Sequence, residues 1–190
     1  MDKRLEYTLF PALAERVSAL YNEEEDALLL AMLGQEYVIR HTGITLRGQK
    51  APDAHEQVLV DYLCSAGSVM IETPWRSFGD LAGRPAPEFR QRIELPIAQH
   101  AAEFIPRAAS LLPHIDGVIA PSMIGSDMAM TVLALPKVHL RVELSQEDQE
   151  FPPEVWILFS NNADHFLGAD KLQLLGELFK DRLLSLLRIY

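Results

Sequence analysis

Cysteine is almost absent from this chain: Cys64 is the only one in 190 residues. That excludes an internal disulfide framework, a cysteine-built zinc site and an iron–sulfur cluster held by the chain's own thiolates. The flanks Tyr62-Leu63-Cys64-Ser65 read as helix interior, which predicts a buried small hydrophobe rather than a reactive thiol. Long hydrophobic runs are missing as well. Nothing approaches the roughly 20 apolar residues of a membrane span, and the start Met1-Asp2-Lys3-Arg4-Leu5-Glu6 lacks the continuous apolar core of a secretory signal. No membrane association is expected, and the cytoplasm is the expected location. Positive charge is in short supply, with 17 Lys and Arg against 27 Asp and Glu and a net charge of -10. Such a field repels phosphate backbones and anionic lipid, so nucleic-acid binding is not expected either.

Complete catalytic motifs are also lacking. Gly125-Ser126-Asp127 does not have the glycine spacing of a nucleophile elbow, and no glycine-rich loop ends in Lys-Ser or Lys-Thr. His55-Glu56 is not followed by a second histidine at the fourth position, so the zinc-protease pattern fails. His100 and Glu103 share a helix face, but a di-metal bundle needs Glu followed by His three residues later, twice over, with two further carboxylates. No metal site is expected, and the sequence identifies no cofactor.

What is present is the makeup of an ordinary globular protein, 48% hydrophobic and 23% charged, large enough for one buried core. A single domain over residues 1–190 is expected. Pro11 to Tyr21 reads as a short amphipathic helix with Leu13, Val17, Leu20 and Tyr21 on one side. After the acidic turn 22–26, Ala27–Leu33 and Glu36–His41 flank Gly34-Gln35, and glycine first in a two-residue loop predicts a type II′ hairpin. A short Ile44-Thr45-Leu46 continues it. Asp53 is a plausible N-cap for a helix to about Ser65. Residues 88–112 read as two or three short helices broken at Pro96 and Pro106. Strands are expected at Met128–Leu135 and Val138–Leu144. The second alternates Val138, Leu140, Val142 and Leu144 against His139, Arg141 and Glu143, as a half-exposed antiparallel strand does.

The chain is organised around Glu150-Phe151-Pro152-Pro153-Glu154-Val155-Trp156-Ile157-Leu158-Phe159-Ser160. Two prolines that cannot donate ladder hydrogen bonds precede an apolar run of strand length. With no polar position from Val155 to Phe159, the strand should be covered on both faces. Trp156 is then buried, and Trp156→Ala costs about 3–5 kcal/mol. Asp170 and Gln173 suggest a capped final helix over 170–188 with Leu172, Leu175, Phe179, Leu183 and Leu186 on its stripe. The fold class is α+β: an antiparallel sheet of three or more strands, an N-terminal hairpin, and helices including the long last one.

Two stretches can carry function. Thr73–Pro85 is rich in Pro and Gly yet holds Trp75-Arg76-Ser77-Phe78; either the aromatics pin a loop to the core or they form a ligand-facing edge. The turn Asn161-Asn162-Ala163-Asp164-His165 either closes an Asx-type turn or supplies a rim. On the functional reading Glu150, Glu154, Asp164 and His165 line that rim together with Trp75 and Arg76. Two functions are compatible with this set: a non-catalytic binding or accessory module for a small molecule, cofactor or partner protein, or an enzyme using acid–base chemistry around Glu154, Asp164 and His165.

The order Leu135-Pro136-Lys137-Val138-His139-Leu140, a polar turn, Glu150-Phe151-Pro152-Pro153-Glu154, Ile157-Leu158-Phe159, His165-Phe166-Leu167 and a Leu-rich terminal helix resembles DUF3786, a family of uncharacterised bacterial and archaeal proteins. Asp61-Tyr62-Leu63, Trp75-Arg76-Ser77-Phe78 and Leu81-Ala82-Gly83 extend the similarity over nearly the whole chain. Ser160 stands where the family pattern has Asp, and Phe166 where it has Tyr. The resemblance implies a fold and surroundings in anaerobic corrinoid or one-carbon metabolism, but no activity. The cysteine-rich iron–sulfur segment it associates with some relatives has no counterpart here.

Overall fold

The computed structural model describes residues 9–67 and 69–189. Helix α1 (Phe10–Val17) leads into strands β1 (Leu20–Asn22), β2 (Ala27–Met32), β3 (Gln35–Arg40), β4 (Gly43–Leu46) and β5 (Gln49–Lys50). These five pair in chain order as an antiparallel meander. The expected hairpin is therefore present, with its turn one residue earlier, at Leu33-Gly34. Both residues have positive φ, 53° and 69°, which is type I′ geometry. Leu33 holds this conformation because its side chain is buried and its N–H donates to the Ala134 carbonyl at 3.0 Å. A Cβ on Gly34 would stand 2.3 Å from the His114 carbonyl oxygen, so only glycine lets the tip approach so closely. Helix α1 is shorter than expected: Ser18 turns left-handed, and Leu20 and Tyr21 join β1, opposite Leu29 and Leu28.

Helix α2 (Asp53–Leu63) follows. Asp53 is its first residue rather than its cap, and its carboxylate pairs with Lys50 Nζ at 2.9 Å. Cys64 lies just beyond the helix end and is exposed, contrary to the buried position its apolar flanks suggested.

The second sheet uses β6 (Arg76–Ser77), β7 (Gly117–Ala120), β8 (Met128–Leu135), β9 (Val138–Ser145) and β10 (Glu154–Phe159), in the antiparallel order β6-β10-β9-β8-β7. With the helices, this makes the protein α+β. Pro152 and Pro153 stay outside the sheet, and pairing begins at Glu154 opposite Ser145. β6 and β7 come from stretches whose Pro and Gly read as loop; each is a short edge strand, which tolerates both residues.

Between β6 and β7 the chain runs through α3 (Phe78–Ala82), α4 (Pro87–Phe89), a π-helical turn (Arg90–Glu94), α5 (Leu95–Ala98), α6 (Ala101–Phe104) and α7 (Ala108–Leu111), and α8 (Ala169–Ile189) follows the second sheet. Pro96 does not break its helix. Helical backbone is continuous from Pro87 to Ala98, because the widened turn just before Pro96 absorbs the missing N–H and the crowding of the ring. α8 starts one residue before Asp170, so Asp170 lies in the first turn, where negative charge is favoured. Gln173 reaches Glu177 at 3.4 Å instead of closing a capping box.

The stripe of α8 packs on α2 and on the 87–98 helix. Gly176 permits this closeness, since a Cβ there would stand 2.9 Å from the Phe89 ring. The buried face of β10 is met by α3 and the 87–98 helix, with the rings of Phe78, Phe89 and Phe159 stacked, tilted or edge-on at centroid distances of 4.6–6.4 Å. One cluster of buried side chains takes in both sheets and α8.

Two further burial expectations are overturned. β10 is covered on one face only: Val155, Ile157 and Phe159 are buried, while Trp156 is 44% exposed. Its apolar run hid an alternation: Val155, Ile157 and Phe159 take the core side, and Glu154, Trp156 and Leu158 the opposite one. Trp156 is thus not an inner-core residue, and a 3–5 kcal/mol loss on its truncation does not apply. β9 errs in the opposite sense. Arg141 and Glu143, expected in solvent, are 5% and 1% exposed, because residues 121–126 fold back over them. Among the described residues no helix is long and apolar enough to cross a membrane.

Candidate functional site

Strand β10 places Glu154, Trp156 and Leu158 on the outward face of the second sheet, because side chains alternate and Val155, Ile157 and Phe159 take the core side. β6 pairs only with Leu158 and Phe159. The rest of that edge, Glu154–Ile157, is therefore open to the helix beside it, while β9 pairs along the whole of the opposite edge, and the π turn presents two side chains there. Arg90 donates to Glu154 Oε1 at 2.8 Å and lies over the Trp156 ring, 5.2 Å from its centroid, within cation–π range. Glu94 is buried, and its Oε1 accepts the Ile157 N–H at 2.9 Å, replacing the missing neighbour strand. Burial raises the Glu94 carboxyl above the usual carboxylate range; the Ile157 N–H and Arg90 act against that, and Glu154 adds to it.

Across the sheet Trp156 is opposite Glu143, which is opposite Ala129. Glu143 clamps the 121–126 loop. Its Oε1 accepts from Arg141 Nε (2.9 Å), Arg141 Nη2 (2.8 Å) and the Met123 N–H (3.1 Å), and its Oε2 from the hydroxyls of Ser122 (2.8 Å) and Ser126 (2.6 Å). Arg141 also donates to the Pro121 carbonyl. Burial alone would raise the Glu143 carboxyl, but the bonds from Ser126, Ser122, Arg141 and Met123 together carry it below its usual value. So held, the loop leaves Met123 and Ile124 exposed.

Beside this loop, against the connection from β9 to β10, lies a hollow of about 520 Å³. Asp127, Glu147, Asp148 and Glu154 line it, with Phe151 and Pro152 as its apolar wall. Phe151 is exposed. Asp148 accepts the N–H groups of Glu150 and Phe151 at 2.8 and 2.7 Å, which lowers its carboxyl pKa. Glu154 belongs both to the hollow and to the Arg90–Trp156 contact, so the two form one surface: an aromatic and apolar platform ending in a carboxylate-lined recess.

The six residues singled out from the sequence fall at the two ends of β10. Arg76 is with Asp164 at 3.6 Å and donates to the carbonyls of Asp80 (2.9 Å) and Asn161 (3.4 Å). Trp75 is half-buried beside it, and His165 is exposed on the same turn. Glu154 is at the strand's start, some five residues away, about 17 Å at strand rise, and Glu150 lies in the connection ahead of it. Asn161 and Asn162 do structural work: they bind the 69–74 segment through Pro74 O (3.0 Å), Val69 O (2.8 Å) and the Ile71 N–H (2.8 Å). Ser160 is buried and accepts the His139 N–H at 3.3 Å. The sequence does not single out Arg90 or Glu94, and it presents Glu143 only as part of a solvent face. The i, i+4 spacing of Arg90 and Glu94 just ahead of Pro96 was the one available signal. Among the described residues, no three His, Cys, Asp or Glu are grouped so as to hold a metal ion.

No curated protein and no solved structure matches the chain. A family model described as a domain of unknown function, DUF3786, matches residues 10–182. That match runs from α1 through both sheets and most of α8, and includes every residue of the platform and its recess. The chain belongs to the DUF3786 family.

Proposed function

We propose that this chain is a cytoplasmic, single-domain, non-catalytic accessory module that docks a partner protein on the platform around Trp156. The observation that carries the reading is Trp156 itself. A tryptophan on a strand whose opposite face is core is left 44% exposed, under an arginine that is also paired to Glu154. Trp and Arg are the residues most enriched among interface hot spots. Phe151, Met123 and Ile124 are exposed around it, and clustered apolar exposure marks interaction surfaces. The four carboxylates of the adjoining recess and the net charge of -10 select a partner segment that carries Lys or Arg next to aromatic or aliphatic side chains. The same field disfavours nucleic acid. An enzyme built on Glu154, Asp164 and His165 has less support, because Glu154 is engaged by Arg90 and lies at the opposite end of β10 from the other two.

Selection of displayed random peptides on the purified protein tests this. The enriched peptides should combine basic and aromatic residues and lose binding to the Trp156→Ala and Glu154→Gln proteins. Peptides without basic excess, or peptides that bind the variants as well as the parent, contradict it.

A further inference from the structure

The platform around Trp156 already holds a cation, and that cation belongs to the protein itself. Arg90, carried by the π turn, lies over the Trp156 ring at 5.2 Å from its centroid and donates to Glu154 Oε1 at 2.8 Å. An indole face beside a carboxylate attracts a guanidinium from any source, because the ring quadrupole and the carboxylate act on the same charge. Resting on the docking role proposed above, we infer that Trp156 and Glu154 form the subsite for an arginine side chain of the partner. Arg90 fills that subsite in the free protein and gives it up on binding.

Three features make Arg90 a replaceable occupant. Its hold is weak: among the described residues Glu154 is the one hydrogen-bond partner of its side chain, and the two side chains are each 38% exposed. Ion pairs so exposed contribute little, since water competes for both charges. The subsite also has capacity to spare. Trp156 stays 44% exposed beneath Arg90, and Arg90 uses one carboxylate oxygen, while no described residue donates to Glu154 Oε2. An entering guanidinium can take both oxygens in the forked geometry that suits it. Finally, the displaced side chain starts at the surface, so it passes into water rather than into the core.

The same geometry separates arginine from lysine. A guanidinium is planar and less strongly hydrated than an ammonium, so it lies against the indole and forks the carboxylate at once; lysine brings a compact, strongly hydrated point charge.

The test is an NMR titration of the full chain with acetyl-Phe-Arg-amide, its lysine counterpart and its citrulline counterpart, which keeps the shape of arginine without the charge. The arginine peptide should shift the Trp156 indole N–H saturably, with a midpoint of about 1 mM. The lysine peptide should bind at least about threefold more weakly and the citrulline peptide at least about tenfold. In the free protein the indole should displace the Arg90 δ-methylene signals upfield. Saturation with the arginine peptide should return them to their position in the Trp156→Ala protein. Arg92 is on the same turn but is paired with Glu177 at 3.2 Å, so Arg92→Ala removes the same charge without vacating the subsite. Arg90→Ala should therefore bind the arginine peptide at least about threefold more tightly than Arg92→Ala does.

Equal affinity of the two variants, or Arg90 signals that stay displaced at saturation, makes Arg90 a fixed strut and overturns the inference while the docking surface stands. Equal binding of the lysine or citrulline peptide does the same. No saturable shift of Trp156 by any of the peptides up to about 20 mM, in the parent or in Arg90→Ala, overturns the subsite and the docking surface together.

Discussion

Glu143→Ala is predicted to be among the most damaging single changes outside the apolar core. The carboxylate is 1% exposed and accepts five hydrogen bonds, and its removal leaves the Arg141 guanidinium, itself 5% exposed, without its charge partner. Breaking a buried pair by deleting one member costs about 3–5 kcal/mol, because the survivor remains desolvated and unpaired. With a urea m-value near the upper end of the usual range, about 3 kcal/mol/M, the midpoint falls by about 1–1.7 M. The double variant Arg141→Met/Glu143→Leu removes both charges and should recover much of that loss. The clamp also has a pH signature. Its hydrogen bonds hold the Glu143 carboxyl below its ordinary value of 4.5, so its stabilisation is complete above 4.5 and is lost as pH falls through the folded value. Urea titrations of the parent, both single variants and the double variant decide the matter. A Glu143→Ala loss below about 1 kcal/mol, the size of an ordinary surface substitution, would refute the clamp.

Trp156→Ala should cost less than about 1 kcal/mol, and Phe159→Ala, three residues on and fully buried, about 3–5 kcal/mol, read by the same titration. Gly34→Ala should destabilise by at least about 2 kcal/mol, since it combines a left-handed backbone with a Cβ 2.3 Å from the His114 carbonyl oxygen; thermal unfolding reads it. Glu94 titrates in the opposite sense to Glu143. Burial raises its carboxyl above 4.5, so the stabilisation present below 4.5 is lost as pH rises through the folded value. Glu94→Gln keeps an oxygen for the Ile157 N–H and should flatten that slope between pH 4 and 8, while Glu94→Ala loses the acceptor and costs about 1–3 kcal/mol.

Strand and helix content was legible where local pattern decides it. The antiparallel strand over Val138 to Leu144, the proline stop before Glu154, the glycine in the first hairpin and the leucine stripe of α8 all show in the structure. Where a neighbour distant in sequence decides, the pattern misled. Arg141 and Glu143 look like a solvent face, and only the return of residues 121–126 buries them. Trp156 looks like core, yet it takes the face of β10 opposite Val155, Ile157 and Phe159 and is 44% exposed. The turn at Leu33 runs against the glycine-first rule because the Ala134 carbonyl takes its N–H. For the site, Glu154 was visible from its place at the strand start. Arg90 and Glu94 were not, because their reach to β10 depends on the wider turn before Pro96.

The docking surface is tested most directly by the fluorescence of Trp156. In a Trp75→Phe protein it is the only tryptophan left, and in the free state it is 44% exposed. Binding of a selected basic, aromatic peptide should shift its emission to the blue as the ring is desolvated, with an affinity that falls as salt rises. Binding that leaves the emission unchanged would contradict the account.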